Sequence, residues 1–141
     1  MEYMIGVILA LGVSITMRFA GLDHDRALYQ VMLIVIASYY DLFAILAGDG
    51  LVLGFETAAF LFFAGVSLIG FRTNLWIVAT ALLGHRVFDL IHGHLVANSG
   101  VPPWWPMFCL AYDVVAAGYL AWLLWSGRVQ GQHPRSLSSS Q

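Results

Sequence analysis

Ionisable side chains fall where a chain this apolar would be expected to carry none: Asp41, Glu56, His85, Arg86, Asp89, His92 and Asp113 all lie inside long hydrophobic runs. The densest group is the segment GHRVFDLIHGH, in which His85, Asp89 and His92 stand at i, i+4 and i+7. On a helix that spacing lines one stripe. Neutral imidazole beside carboxylate is a ligand set for a divalent ion such as Zn, Fe or Mn. His85, Asp89, His92 and Asp41 are therefore the candidate metal ligands, and Glu56 or Asp113 would complete the shell or act as general base. Arg86, about 100° around the helix from His85, is placed to pair with a carboxylate of a neighbouring helix and to stabilise negative charge. The competing reading of the same residues is a hydrogen-bonded polar knot that fixes helix packing.

The elements that must carry these groups are apolar runs long enough to span a bilayer. They cover Tyr3–Ala20, Ala27–Ala47, Leu51–Gly70, Leu75–His94 and Trp104–Trp125. The breaks have turn chemistry. Asp23, His24 and Asp25 supply N-cap candidates before the second run, Gly48-Asp49-Gly50 is a tight turn, and 98–103 is the longest polar break. Pro102 and Pro103 sit where a helix start tolerates proline. The expected fold is all-α: a five-helix transmembrane bundle over residues 1–128, followed by a polar, Ser-rich tail over 129–141 expected to be disordered. Glu2 occupies the place of a basic n-region and Arg18 lies at the far end of the first run, so that run reads as a retained helix rather than a cleaved signal.

Composition supports a bilayer rather than water as the solvent. Hydrophobic residues make up 60% and charged residues 10% of the chain, with mean hydropathy +0.81, against about 25% charged for a soluble domain. Arg18, Arg26, Arg72, Arg128 and Arg135 all fall on one side of such a bundle, whereas the second and fourth connections carry no Lys or Arg. The positive-inside rule then places the N-terminus outside and the C-terminus in the cytoplasm. Trp104 and Trp105 at one end of the last run, and Trp122 and Trp125 at the other, match interfacial belts.

With spans ending near Ala47, Leu51, His94 and Trp104, the residues Asp41, Glu56, His85, Asp89 and Asp113 fall roughly 7–14 Å below the outer boundary, at about 1.5 Å of rise per residue. Four helices thus deliver acids or imidazoles to one layer. Fully ionised, the carboxylates would leave a large negative charge against Arg86 alone, which a desolvated layer sustains only with bound cations, protons or water. Cys109, alone and within an apolar run, reads as a small buried residue.

The segment from His85 to Trp122, with its H-x3-D-x2-H helix, the loop around Pro103 and Pro106 and the aspartate Asp113 in the last helix, resembles a group of small bacterial integral membrane proteins of unknown function. That resemblance implies a multi-pass protein of the bacterial inner membrane and names no reaction. The residues themselves admit a metal-dependent intramembrane hydrolase or isomerase acting on a lipid or small apolar substrate, proton-transfer chemistry without a metal, an ion- or proton-binding transporter component working as a homo-oligomer, or an accessory subunit of a membrane complex. Haem is disfavoured, because His85 and His92 share one helix face and no second intramembrane helix offers an opposing histidine. The expected partners are the bilayer and an apolar substrate, with no nucleic acid.

Overall fold

The computed structural model describes residues 2–22 and 25–130, the side chain of Glu2 excepted. Asp23, His24 and the tail 131–141, with Arg135, lie outside the described residues. Among these there are five α-helices and no strand: α1 Glu2–Phe19, α2 Arg26–Ala47, α3 Gly50–Arg72, α4 Leu75–Leu95 and α5 Trp105–Trp125. Each begins and ends within a residue or two of the corresponding apolar run.

The caps explain why. Asp25 accepts from the Ala27 amide ahead of α2, and Asp49 accepts from Leu51 and Val52 ahead of α3. Asn74 accepts from Trp76 ahead of α4. In each case a short side chain takes up amides that the first helical turn leaves unpaired. Gly48 ends α2 in the left-handed region, φ 71°, which only glycine adopts without strain. Proline stands in the first turn of α5, where its missing amide is not needed.

Four helices, α2 to α5, are long and apolar enough to cross a membrane. The fifth candidate, α1, is apolar too but shorter over Tyr3–Phe19. Large apolar side chains face outward on every helix: Ile8 on α1, Leu46 on α2, Leu51 on α3, Val87 on α4 and Trp125 on α5 are all more than half exposed.

α4 occupies the centre, packed against α5, α3 and α2, while α2 pairs with α3 and α1 lies along α5. The interior is divided by depth. Toward the end that carries Arg26 and Arg72, it is an apolar core of Leu33, Leu75, Val78, Leu82, Leu120 and Leu123. Toward the opposite end, which carries the Gly48 turn and loop 96–104, the same helices present polar side chains to one another. That loop is held against α2 at close range: a Cβ on Gly100 would lie 2.0 Å from the Phe43 carbonyl oxygen, so only glycine fits. The loop also supplies Asn98 to the polar layer below it.

Candidate metal centre

The stripe on α4 is buried as its spacing requires: His85, Asp89 and His92 are 1%, 3% and 2% exposed. They continue, with the same periodicity, the face that Leu75, Val78 and Leu82 bury lower down the helix. From α5, Asp113, fully buried, meets His85, with Nδ1 to Oδ2 at 2.8 Å. The same nitrogen is 3.6 Å from Asp89 Oδ2. One ligand atom from each of His85, Asp89 and Asp113 lies within 4.8 Å of the other two. The three groups could hold a metal ion.

Higher on α4, the next histidine belongs to a different contact. His92 Nε2 pairs with Glu56 Oε1 of α3 at 2.7 Å, and the Asn98 side-chain amide donates to the same oxygen at 2.9 Å. Tyr40 of α2 links the two clusters. Its hydroxyl donates to Asp89 Oδ1 at 2.7 Å, and its ring lies 4.2 Å from that of His92, centroid to centroid. The Asn98 amide also reaches the Tyr40 carbonyl at 3.3 Å.

The donor set passes a simple test of fit. Asp89 Oδ2 and Asp113 Oδ1, both buried, have no hydrogen-bond partner among the described residues, and neither does Glu56 Oε2. Buried carboxylate oxygens are normally paired, and an orphan of this kind is destabilising on the order of 1–3 kcal/mol. Asp89 Oδ2 is aimed into the His85 cluster: it and Asp113 Oδ2 lie 3.6 and 2.8 Å from His85 Nδ1, near the roughly 3 Å that separates neighbouring ligands around an ion with bonds of about 2.0–2.2 Å. All three donors lie within 4.8 Å of one another, so small side-chain shifts would close them on an ion. A divalent cation there would take up the orphan oxygen and offset the carboxylate charge together.

Measured against the residues that the sequence singles out, the structure separates what the stripe runs together. His85 and Asp89 stand in the metal-capable group, and Asp113 joins them. His92, also expected as a ligand, lies two helical turns from His85, about 10 Å along the axis, and is engaged by Glu56 instead. Asp41, the fourth expected ligand, is not in either cluster. Neighbouring positions on a helix point about 100° apart, and because Tyr40 faces α4, Asp41 turns toward α3, where it accepts from the Thr57 hydroxyl at 2.8 Å. Arg86 is half-buried, with Nε unpartnered, and no described carboxylate lies within ion-pair distance. Tyr40, next to Asp41 in the sequence, donates not to that neighbour but to Asp89 across the helix interface. Asn98 and Thr57 carried no signal: the first reads as a turn residue and the second as one polar group in an apolar helix. His94 is exposed and Cys109 is buried, as their positions suggest.

Fold and site together define a helical bundle, four of whose helices are long and apolar enough to cross a membrane, with a buried histidine–carboxylate group that could hold a metal ion. Comparison of the chain with family models, with curated proteins and with solved structures gives no match.

Proposed function

We propose that this chain is a multi-pass protein of the bacterial inner membrane, N-terminus outside and C-terminus in the cytoplasm, that holds a divalent cation (Zn, Fe or Mn) between His85, Asp89 and Asp113 and uses it to hydrolyse or isomerise a lipid-like substrate. The observation that carries this reading is the buried Asp89 Oδ2, unpartnered and facing the His85–Asp113 pair. The membrane assignment is supported by the outward-facing apolar side chains, which in water would form patches far beyond those a soluble monomer exposes. The orientation rests on the one-sided arginines.

A divalent ion at this place supplies Lewis acidity and an activated water. The chain's own residues do the rest. Tyr40 holds Asp89 in one orientation through its hydroxyl. Asp113 is taken up in the ligand group, so of the two carboxylates suited to the general base Glu56 is the one left. Its Oε1 is fixed by His92 and Asn98, and its Oε2 is free to accept a proton. A lipid-like substrate has a route of its own. Between α2 and α5 runs an apolar groove of about 430 Å³, lined by Met32, Val35, Ile36 and Phe108, with Cys109 and Tyr112 beside it. Those last two lie in the α5 turn just before Asp113, so an alkyl chain in the groove would lie alongside the helix segment that carries the buried site.

Metal analysis of the protein purified in mild detergent without chelator tests the reading. Near-stoichiometric metal in the parent, lost in Asp89→Ala, supports it. A folded, metal-free parent overturns it and leaves the polar knot as the explanation of the cluster. Lipid extracts incubated with the loaded protein and analysed by mass spectrometry then report whether an ester is cleaved or a double bond is moved.

A further inference from the structure

The metal-capable group is sealed, since His85, Asp89 and Asp113 are all at least 97% buried, so an ion needs a way in. Beneath loop 96–104 lies a crevice of about 380 Å³, open at the loop end of the bundle. Its wall includes His92, Ala97, Asn98 and Ser99. His92 and Asn98 both bond the same oxygen of Glu56, and the second oxygen of that carboxylate, in a residue 1% exposed, has no partner among the described residues. The rest of the wall is largely apolar, with Val96, Val101 and three prolines, so His92, Asn98 and Ser99 are its polar side chains, and the buried Glu56 carboxylate with its vacant oxygen stands one layer behind the first two. From His92 the path to the sealed group is short: Asp89 lies three residues down the same helix, about 4.5 Å of rise, with Tyr40 touching both.

We infer that this crevice is the entry port for the divalent cation, and that Glu56, presented by His92 and Asn98, is its first protein ligand on the way to His85, Asp89 and Asp113. The inference rests on the metal-site reading above. Cation transfer along this path precedes turnover, so the same carboxylate is free to accept a proton once the ion has moved inward. A low-dielectric cleft leading to a carboxylate concentrates cations and speeds their capture.

Uptake of cobalt(II) by the metal-free protein in detergent, followed by the visible absorption of the bound ion, tests it. Two variants are compared with the parent: Glu56→Gln, which removes the charge, and Ala97→Trp, an exposed position whose bulk narrows the crevice without touching the buried layer. Both are expected to reach the parent's final stoichiometry, at least about tenfold more slowly, the low end of what such focusing contributes to an on-rate. Loading of both variants at the parent's rate overturns the port and leaves the metal site standing. A loss of final stoichiometry in Glu56→Gln also overturns it, by placing Glu56 in the resident shell. A parent that takes up no cobalt overturns port and metal site together. Should Glu56→Gln fail to fold, Ala97→Trp decides alone.

Discussion

The Tyr40 hydroxyl donates to Asp89 Oδ1 at 2.7 Å, across the interface between α2 and α4. That bond leaves Asp89 with one oxygen satisfied and one turned toward His85. A carboxylate that also accepted at its second oxygen would be a purely structural group. One held from behind and vacant in front has the arrangement of a ligand with its supporting partner.

Tyr40→Phe therefore separates a metal site from a packing knot. Removing the hydroxyl leaves the ring contact with His92 in place and frees Asp89 to rotate. We expect the protein to fold and its affinity for zinc to fall about 10–100-fold, the usual effect of losing an outer partner of a ligand. Competition against a chromophoric chelator measures this. An unchanged affinity would show that Asp89 is not a ligand.

Asp113→Asn and Asp41→Asn form a matched pair. Both remove one carboxylate charge from the same end of the bundle, but only Asp113 contacts His85, whereas Asp41 bonds Thr57. Metal content is expected to be lost in the first and retained in the second. Loss in both would mean that total charge, and not the ligand geometry, governs binding.

The difference between those two aspartates marks the limit of what the sequence reveals here. The ends around the first two connections were legible because Asp25, Gly48 and Asp49 are local signals that act within one turn, whereas Asn74, which caps α4, was not singled out. The burial of His85, Asp89 and His92 on one face was legible from spacing alone. Which acid meets which histidine was not, because that depends on how α3 and α5 are rotated about their axes. Both helices are apolar nearly all round, so no polar face orients them in the sequence. Their rotation is set by packing, including the close approach of Gly6 on α1 to the Phe108 carbonyl of α5. Asn98 escaped notice for a related reason: a loop side chain reaches the interior only because Gly100 lets the loop lie against α2.

Gly100→Ala tests that last relationship. The added Cβ would meet backbone, the Phe43 carbonyl at 2.0 Å, which cannot swing aside as a flexible side chain would. The loop must lift, and overpacking of this kind is destabilising by about 1–3 kcal/mol. A lower thermal unfolding midpoint in detergent is expected, together with weaker protection from hydrogen exchange of the Val101 amide, which donates to the Asn98 carbonyl within the loop. Gly93→Ala, inside α4 and with no neighbour within 4 Å of the added carbon, is the control and should unfold at or slightly above the parent's temperature, because alanine favours the helix.

The proposed orientation can be tested with single cysteines, because the chain's one thiol, Cys109, is buried and replaceable by alanine. Ser99 and Ser126 are both exposed, the first in loop 96–104 and the second just beyond α5. They lie at opposite ends of that helix, roughly 30 Å apart for about twenty residues, enough to separate them by one bilayer. Arg72 and Arg128 mark the Ser126 end, and loop 96–104 has no basic residue. An impermeant maleimide applied to intact spheroplasts should therefore label Ser99→Cys at once and Ser126→Cys only after the membrane is opened. The reverse pattern would invert the topology and put the crevice, with its path to Glu56, on the cytoplasmic side, so that any cation would load from the cell interior. Equal labelling of both before permeabilisation would mean that α5 does not cross the membrane, and the reading of a bilayer-embedded site would fail with it.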